Sequence, residues 1–589
     1  MFMNRQTDDV WMTLAQSPST NQRELAACAG MSLGAVNKAL LELRRQGIVT
    51  ETGQLSAAGR EALADNRPRR AILLAAGPGM RMVPINQQAP KPLLEVRGET
   101  LIERLIRQLR EAGVTEIAVV VGFLKEQFEY LIDSCGVRLI VNSLYASKNN
   151  LHSLALAAAW LEDAYVVPCD LWFQENPFRR HELYSWYLMS GEADPDSRVR
   201  VNRRMELSPC RGKEQGQRMI GLAYLRREDA ARLRRRLLDL DGDAKYDGAF
   251  WEAVLEGEAI PARIAPEASV VEINTYEQLR ELDGNSAQLR SEALEAAAKA
   301  LGTSTTSIKE ICVLKKGMTN RSFLFSCEGG RYIMRIPGEG TDRLIDRQKE
   351  ALVYRAIRGK GLCDDPVYLD PRTGFKITRF LEGVHNCDSE NEQELRRCMR
   401  KLRDFHRMEL TVPHRFDLFA MIDFYESLWN GAPSAYRDYT KTKAEIFALK
   451  DYLDSLKIRE SLTHIDAVPD NFLFYPGPDG EELLQLTDWE YAGMQDPHVD
   501  IAMFCIYALY EREQIDRLID LYFEPEGGCG EELRTKIYCY VAVCGLLWSN
   551  WCEFKRCEGV EFGEYSLRQY RYAKDYARLA RSRMPDGER

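Results

Sequence analysis

The sequence lacks the features that mark membrane, fibrous and disordered proteins. Its apolar runs, such as those starting at Ile72 and Ile117, fall well short of the roughly 18–20 residues that span a bilayer. It has no internal repeat and no low-complexity tract, and 45% hydrophobic with 29% charged residues is typical of packed globular domains. We therefore expect a multi-domain globular protein with no membrane partner.

Paired cysteines and an apolar leader are also missing. The 15 cysteines are scattered and no CxxC occurs, so neither a zinc site nor a redox pair is predicted. A signal peptide would need an apolar stretch where Asp8 and Asp9 stand. The expectation is a cytoplasmic protein with reduced thiols.

An excess of basic charge is absent as well. The chain has 79 Lys and Arg against 89 Asp and Glu, a net charge of -10, so the molecule as a whole is a poor ligand for nucleic acid. Its 589 residues can form about three to five domains. Composition and periodicity divide it into residues 1–66, 69–283 and 290–589.

The first segment, residues 1–66, has the apolar spacing of three helices, two short strands and a closing helix. This order is similar to winged helix-turn-helix domains, with residues 32–45 as the recognition helix. Six basic against seven acidic residues leave the segment nearly neutral, so the electrostatic part of any DNA affinity is small. DNA binding and a regulatory, dimerising or vestigial role both stay open. The polar candidates for DNA contact are Asn37, Lys38, Arg44 and Arg45.

The second segment, residues 69–283, alternates strands and helices, which predicts a Rossmann-like domain of parallel strands joined by crossover helices. Its first strand ends in the loop LAAGPGMRMVP at residues 74–84, and PKPL follows from Pro90. Glycine lets a backbone approach phosphate closely, while Arg and Lys supply donors and positive charge. The residues predicted to cradle a triphosphate are Ala75, Ala76, Gly77, Gly79, Arg81 and Lys91.

These motifs, with YVVPCDLWF around Asp170, resemble the sugar-phosphate and phosphocholine nucleotidyltransferases, and look most like bacterial CTP:phosphocholine cytidylyltransferases. The resemblance implies CTP as co-substrate and Mg²⁺ bound by Asp170. It also implies that Arg81 and Lys91 stabilise the departing pyrophosphate.

One position departs from that family. Its second metal carboxylate should fall at Asn274, which is neutral and a weaker Mg²⁺ ligand, so either the metal is held less tightly or catalysis is impaired. Trp172 and Trp251 are candidate contacts for a choline group, although such residues are more often part of a core.

The third segment, residues 290–589, contains the spacing HxDxxxxN in LTHIDAVPDNFLFY, followed by LTDWEYAG. A kinase-like phosphotransferase needs a carboxylate to accept the proton of a hydroxyl, and a carboxamide and a second carboxylate to hold Mg²⁺. Asp466 fits the first need, and Asn471 and Asp488 fit the second.

A small nucleotide-binding lobe is predicted upstream, with three antiparallel strands and a flexible turn at residues 317–323. The predicted ATP-binding residues are Asn320 in that turn, Arg335 in place of the usual lysine, and Glu350 as its helical partner. The segment resembles the choline kinase branch of aminoglycoside-phosphotransferase-like enzymes, which implies a bilobal kinase fold and ATP as co-substrate.

Substrate choice is indicated by Trp548 and Trp551, which lie three residues apart on one helical face like the WxxW pair of choline kinases. A quaternary ammonium cannot donate a hydrogen bond, so aromatic faces must bind it, at ~0.5–2 kcal/mol per contact. Glu490 and Glu553 are the predicted acidic neighbours.

Together the resemblances imply an α/β multi-domain enzyme that makes phosphocholine from choline and then CDP-choline for decorating bacterial surface polymers. The expected partners are the small molecules choline and phosphocholine. Two alternatives stay open. The substrate could be ethanolamine or another amino alcohol, or the chain could be a winged-helix regulator whose transferase domain senses nucleotide.

Overall fold

The chain folds into two compact units in the computed structural model. The first comprises Met1–Leu294 with Ile311–Val313, and the second comprises Glu295–Glu310 with Leu314–Arg589. No helix in the part of the chain that the structure describes is long and apolar enough to cross a membrane. The described residues are 4–16, 21–77, 79, 82, 84–85, 90–212, 214–266, 268–284, 286, 289–314, 320–338, 341–557 and 560–584.

The N-terminal segment of the first unit is helical, as predicted. The Ser32 hydroxyl caps the third helix by accepting a hydrogen bond from the Ala35 amide at 3.3 Å. The two strands expected after that helix are reduced to one antiparallel bridge between Val49 and Leu55. The wing is minimal, and the winged-helix assignment stays a prediction. The helices are α1 (Arg5–Gln16), α2 (Gln22–Ala29), α3 (Leu33–Arg45) and α4 (Ala57–Ala64).

This helical segment packs on the domain that follows it. Leu183 is buried in the same hydrophobic cluster as the helices. The Arg5 guanidinium donates hydrogen bonds to the carbonyls of Met205 at 2.6 Å and Ala262 at 2.8 Å, and the Tyr184 hydroxyl donates to Asp9. The N-terminal segment is therefore joined to its neighbour by a shared core and by polar contacts.

Asp8 in α1 makes a pH-dependent contribution to this packing. Burial raises its pKa from 3.8 to about 7, and the nearby charge of Asp9 adds to the rise while Arg226 opposes it. The folded state thus binds a proton more tightly than the unfolded state, so stability is highest below the unfolded pKa and is lost as the pH rises through the folded pKa.

We expect hydrogen-exchange protection of the α1 amides in the full-length chain to fall as the pH rises from about 4 to about 7, by on the order of 2 kcal/mol. Asp8→Asn should remove that dependence. Equal pH profiles of protection, corrected for intrinsic exchange, in the two proteins would contradict this prediction.

The rest of the first unit is built on a sheet with the strand order β12-β8-β11-β6-β1-β4-β5. Strand β1 pairs in parallel with β4 and with β6, and β4 pairs in parallel with β5, so the predicted parallel sheet is confirmed. The antiparallel strand β11 extends it next to β6. The strands are β1 (Arg70–Ala75), β2 (Glu95–Val96), β3 (Glu99–Thr100), β4 (Glu116–Val121), β5 (Arg138–Val141), β6 (Ala164–Pro168), β7 (Leu171–Phe173), β8 (Trp186–Asp194), β9 (Val199–Val201), β10 (Leu207–Pro209), β11 (Gly216–Leu225), β12 (Ala262–Ile264) and β13 (Val270–Glu272).

Helices cover this sheet because one face of each is apolar. In α5 the buried residues recur at three- and four-residue steps, and the Thr100 hydroxyl caps the first turn. Because β1 and β6 are adjacent and parallel, their carboxyl ends bring Ala75 and Asp170 to one edge of the sheet. The helices are α5 (Leu101–Glu111), α6 (Tyr130–Cys135), α7 (Asn150–Leu156), α8 (Arg227–Asp241), α9 (Tyr276–Leu282) and, at the unit boundary along the chain, α10 (Glu292–Leu301).

The second unit contains a small antiparallel sheet and a larger helical part. Strands β15 and β16 form the predicted hairpin, with Ser322 opposite Arg335, and β18 and β17 extend it. The strands of this part of the chain are β14 (Lys309–Val313), β15 (Asn320–Cys327), β16 (Gly330–Pro337), β17 (Tyr368–Leu369), β18 (Lys376–Arg379), β19 (His385–Asn386), β20 (Ser461–Thr463), β21 (Phe472–Pro476), β22 (Glu482–Leu486) and β23 (Gly493–Gln495).

The helical part buries one large hydrophobic cluster around α16 and α18. Every residue of α18 from Thr535 to Phe554 is buried, so this helix lies at the centre of the helical part. The helices are α11 (Arg347–Ile357), α12 (Glu392–His406), α13 (Leu418–Ser427), α14 (Tyr439–Phe447), α15 (Leu449–Ser455), α16 (Val499–Tyr507), α17 (Arg512–Phe523), α18 (Glu531–Cys557) and α19 (Glu564–Arg583).

Candidate active sites

A cavity of about 470 Å³ opens at the carboxyl edge of the sheet in the first unit. Gly79 has a φ of +58°, and a Cβ there would lie 3.1 Å from the Cβ of Lys91, so glycine suits this close approach. Arg81 lies outside the described residues. The predicted site residues that line the cavity are Ala75, Ala76, Gly77, Gly79, Lys91, Asp170 and Asn274.

Lys91 lies between the two predicted metal-binding positions. Its Nζ donates hydrogen bonds to Asp170 Oδ2 at 2.8 Å and to Asn274 Oδ1 at 2.7 Å. Asn274 Nδ2 in turn donates to Glu272 Oε1 at 2.5 Å. The side chains form a continuous chain of charge-assisted hydrogen bonds that ends on a carboxylate for which the sequence analysis assigned no role.

A further acid, Glu252, lies in the field of these carboxylates. Burial raises its pKa to about 7; the hydrogen bond from the Tyr187 hydroxyl lowers the pKa, while the negative charges of Asp170 and Glu272 raise it further. Its Oε2 is buried without a hydrogen-bond partner among the described residues. Glu252 is therefore a buried acid close to the negative charges of Asp170 and Glu272, which oppose its ionisation.

The two candidate tryptophans do not line this cavity. Trp172 is 4% exposed, and its ring centroid lies 4.7 Å from Arg97 Cζ and 4.8 Å from Arg104 Cζ. Trp251 is fully buried in the core beside Tyr187. Both tryptophans pack inside the protein, which is the more common role of such residues.

Sequence reasoning missed several residues of the cavity wall. Phe250 lines it, and the neighbouring Trp251 amide donates a hydrogen bond to Asn150 Oδ1 at 2.7 Å. Phe250 is 62% exposed, an unusual exposure for a large aromatic side chain. No motif joins it to the glycine loop along the sequence, so the signal is visible only in the structure.

The second unit holds a larger cavity of about 1000 Å³, lined by Asp466, Asn471 and Asp488. Asn471 Nδ2 donates to Asp466 Oδ2 at 3.0 Å and to the Asp466 carbonyl at 2.8 Å. Burial raises the pKa of Asp466 well above its ordinary value, and the charges of Asp488 and Glu490 add to the rise. The three residues that the sequence analysis assigned to proton acceptance and to Mg²⁺ therefore lie in one cavity.

Asp500, which the sequence analysis did not single out, shapes the loop that carries Asp466. Its carboxylate accepts hydrogen bonds from the amides of His464 at 3.0 Å and Ile465 at 2.7 Å. Ile465 has a φ of +71° and Asp488 a φ of +65°, an unfavourable backbone region for such residues. The sequence did contain a signal for this role, since Asp500 is the one acid in the apolar helix α16. A buried carboxylate needs hydrogen-bond partners, so an acid in such a helix indicates a structural or functional contact.

The predicted pair of Arg335 and Glu350 forms with two parallel hydrogen bonds, Nη1 to Oε1 at 2.6 Å and Nη2 to Oε2 at 2.8 Å. Burial on its own would raise the pKa of Glu350, but Lys376 and Arg335 outweigh it and lower the pKa to about 2. Arg347, which sequence reasoning missed, contacts the same carboxylate at 3.1 Å.

Glu490 is also part of this network. Its Oε2 lies 3.0 Å from Arg347 Nη1 and accepts a hydrogen bond from Asn320 Nδ2 at 3.0 Å. Glu490 also lines the cavity that contains Trp548 and Trp551. Its assignment as an acidic choline contact stays a prediction.

Trp548 and Trp551 form an aromatic wall at one end of the cavity. Their rings meet edge to face at 5.5 Å between centroids. Tyr491 adds its ring to Trp548 at 5.9 Å, and Phe562 adds its ring to Trp551 at 5.2 Å. An uncharged wall of this kind suits a cation without N–H groups.

The second predicted acidic neighbour, Glu553, does not line this cavity. It accepts hydrogen bonds from the Ser434 hydroxyl and, at 2.8 Å, from the Ala435 amide. Two residues beyond Trp551 correspond to about 200° of rotation around an α-helix, so Glu553 faces away from the tryptophans. Its role is to hold the adjoining loop.

Similar proteins match both halves of the chain. A model of the MobA-like NTP transferase domain matches residues 71–187, and one of the phosphotransferase enzyme family matches residues 310–534. A choline-phosphate cytidylyltransferase from Streptococcus pneumoniae is 43% identical over 118 residues, 20% of this chain and 52% of that protein. The chain thus spans about half of that relative.

Two further proteins extend these matches. A 2-aminoethylphosphonate cytidylyltransferase from Lancefieldella rimae is 35% identical over 202 residues, 31% of this chain and 78% of that protein. The solved choline kinase LicA from Streptococcus pneumoniae is 28% identical, covering 45% of this chain and 94% of that one with a TM-score of 0.40. The chain belongs to the cytidylyltransferases, and residues 310–534 of the same polypeptide match the phosphotransferase enzyme family.

Proposed function

We propose that the chain phosphorylates choline with ATP in its second unit and transfers CMP from CTP to phosphocholine in its first. The observation that carries the proposal is the aromatic wall of Trp548, Trp551, Tyr491 and Phe562 in the same cavity as Asp466. It offers π faces to one end of a substrate whose other end reaches a general base. Because both reactions consume nucleoside triphosphates, we place the enzyme in the cytoplasm.

The kinase step follows from the positions of the polar residues. Asp466 orients the choline hydroxyl and accepts its proton as the oxygen attacks the γ-phosphorus of ATP, and ADP leaves as the bond from that phosphorus to the β,γ-bridging oxygen breaks. Asn471 holds the Asp466 carboxylate in place. Asn471 and Asp488 would hold Mg²⁺, which neutralises the phosphate charge when bound.

The transferase step uses the first cavity. The phosphate oxygen of phosphocholine attacks the α-phosphorus of CTP, and pyrophosphate leaves. The glycine loop offers backbone N–H groups to the triphosphate, and Lys91 leaves its contacts with Asp170 and Asn274 to stabilise the pyrophosphate charge. Asp170 would bind the Mg²⁺ that neutralises the phosphates.

A second candidate acceptor is 2-aminoethylphosphonate, for which the relative from Lancefieldella rimae is named. A phosphonate already carries phosphorus bound to carbon and needs no kinase to supply it. The phosphotransferase domain in the same chain therefore favours a phosphate ester, and phosphocholine stays the leading acceptor.

The test is pyrophosphate release by the full-length chain from CTP and Mg²⁺ with phosphocholine, phosphoethanolamine or 2-aminoethylphosphonate. We expect kcat/KM for phosphocholine to exceed the others by about tenfold or more, since a favoured contact of ~1.4 kcal/mol gives that ratio. A preference for the phosphonate would support the second candidate and contradict the first.

A further prediction concerns the contribution of the aromatic wall to choline binding. Trp548→Ala should raise the KM for choline by roughly 2- to 30-fold through loss of one cation–π contact, with a smaller effect on kcat. The KM for ethanolamine, whose N–H groups can bind elsewhere, should rise less. Trp548→Phe keeps an aromatic face and should recover part of the choline affinity. Equal rises in KM for both amino alcohols would contradict an ammonium site.

A further inference from the structure

Residues 198–211, which contain strands β9 and β10, concentrate positive charge in an otherwise acidic chain. This segment, which we call the arginine ribbon, has five arginines against one glutamate, whereas the chain as a whole has a net charge of -10. Arg200 pairs with Glu214 at 3.0 Å. The other four arginines form no ion pair with any residue that the structure describes, and all four are exposed: Arg198, Arg203, Arg204 and Arg211.

The turn of the ribbon presents two of these arginines to solvent. Asn202 Oδ1 accepts hydrogen bonds from the amides of Arg204 at 2.8 Å and Glu206 at 3.1 Å, which fixes the turn. Val201 and Leu207 lie opposite each other in the two strands and pack on the core of the sheet. No residue of the ribbon is among the described residues that line the transferase cavity, so CTP does not account for this charge.

The first turn of α1 joins the ribbon to a second exposed surface. The Arg5 guanidinium donates a hydrogen bond to the Met205 carbonyl in the ribbon turn at 2.6 Å. The next residue, Gln6, lines a cavity of about 370 Å³ together with Lys38 and Arg45 of α3. Because a helix with its side chains is ~10–12 Å across, α3 and the ribbon turn are about one helix diameter apart.

Helices α2 and α3 form a helix-turn-helix whose second helix is open to solvent on one side. Gly30, with a φ of +63°, ends α2, and Ser32 caps α3, so the connection has three residues. The one acid of α3, Glu42, accepts a hydrogen bond from Gln46 at 2.8 Å. Exposed residues recur along α3 at three- and four-residue steps and form one stripe: Gly34, Asn37, Lys38, Leu41 and Arg45.

We propose that α3 and the arginine ribbon together form one binding surface for double-stranded DNA. In this arrangement α3 enters the major groove, and Arg203 and Arg204 contact the phosphates beside it. Asn and Lys side chains match the donors and acceptors of base edges in that groove, while arginines on phosphates set the position of the protein.

The ribbon supplies the charge that the N-terminal segment lacks. Residues 1–66 are nearly neutral, so on their own they have little electrostatic affinity for DNA. A major groove ~12 Å wide admits α3, and its bordering phosphates lie at about the distance that separates α3 from the ribbon turn. An anionic surface without grooves would use the ribbon but not the exposed stripe of α3, which favours a duplex as the partner.

The experiment uses the full-length chain and duplexes of about 30 base pairs with a randomised centre, three helical turns of DNA. Bound duplexes are selected and sequenced, and fluorescence anisotropy measures the affinity for the most enriched duplex and for a shuffled one between about 50 and 200 mM KCl. Arg203→Gln/Arg204→Gln is the test variant. Arg234→Gln/Arg235→Gln is the matched control, since it removes the same charge from two exposed arginines of α8.

We expect Arg203→Gln/Arg204→Gln to weaken binding of both duplexes by a similar factor. The slope of log K against log[KCl] should become shallower by about 1.8, because each phosphate contact contributes ~0.9. Asn37→Ala should weaken binding of the enriched duplex by roughly 5- to 150-fold and of the shuffled duplex much less. The control variant should bind both duplexes like the unchanged protein.

Three results would overturn the proposal. The first is that no duplex sequence is enriched. The second is an equal salt slope in the two double variants, and the third is an affinity that depends on the ribbon but on neither Asn37 nor Lys38. Sedimentation with phosphatidylglycerol vesicles that is lost in Arg203→Gln/Arg204→Gln, without enrichment of any duplex, would assign the ribbon to an anionic lipid surface. Thermal unfolding of each variant verifies its fold, and none of these readouts depends on the proposed enzymatic function.

Discussion

Replacing Asp466 with Asn lowers the rate of choline phosphorylation by about 10²–10⁴-fold, the usual contribution of a general base. The amide keeps the size of the side chain and can still hydrogen-bond to Asn471, but it cannot accept the hydroxyl proton. Because the affected step is the chemical one, kcat should fall with little change in the KM for choline. Initial rates of ADP formation with choline measure the effect.

Asp479→Asn is the matched control, since Asp479 is exposed in the turn before β22 and does not line the cavity. Its kinase rate should equal that of the unchanged protein. CMP transfer from CTP to added phosphocholine should be the same in both variants. A kinase rate in Asp466→Asn close to that of the control would remove the basis of the assigned mechanism.

Lys91→Gln should slow CMP transfer by about 10²–10³-fold, the typical cost of losing one preorganised group that stabilises charge in the transition state. Lys91 is 10% exposed and its ammonium already lies at the edge of the cavity. Glutamine retains hydrogen-bonding groups but no charge, so the leaving pyrophosphate loses its neutralising partner. Pyrophosphate release with phosphocholine reports the rate.

Lys125→Gln provides the comparison, because Lys125 is in the same unit, 46% exposed and paired with Glu126. It should transfer CMP at the normal rate. The kinase reaction should be unaffected by either change. If Lys91→Gln transferred CMP as fast as Lys125→Gln, Lys91 would have only a structural role and the prediction would be wrong.

The parallel sheet and the grouping of the candidate kinase residues could be predicted from the sequence because each follows from local spacing. The run from Ala71 to Ala76 is apolar and ends at a glycine loop, so both the strand and the place of its site follow from short-range pattern. Asp466, Asn471 and Asp488 are likewise close in sequence, and the structure brings them to one cavity.

Interactions between residues that are far apart in the sequence could not be predicted from local spacing. Glu490 follows Asp488 closely, yet its partner Arg347 lies 143 residues away, so the arginine network was not visible. Glu553 was assigned to the substrate because of its nearness to Trp551, whereas helix geometry turns it to another loop. The contact of Arg5 with Met205 spans 200 residues and has no sequence pattern at all.

Asn274 shows most clearly what the sequence alone could not predict. The residue type alone indicates a missing carboxylate, and with it either a less tightly held metal or impaired catalysis. Its contacts with Lys91 and Glu272 instead indicate a neutral bridge between opposite charges. The difference lies in side-chain geometry, which family resemblance does not supply.

In the proposed function, one polypeptide carries out two consecutive reactions on choline. The most direct measurement incubates the full-length chain with labelled choline, ATP, CTP and Mg²⁺ and separates the labelled products over time. The account predicts phosphocholine first, then CDP-choline, with one pyrophosphate released for each CDP-choline formed. Phosphocholine as the sole labelled product, or choline that stays unphosphorylated, would contradict it.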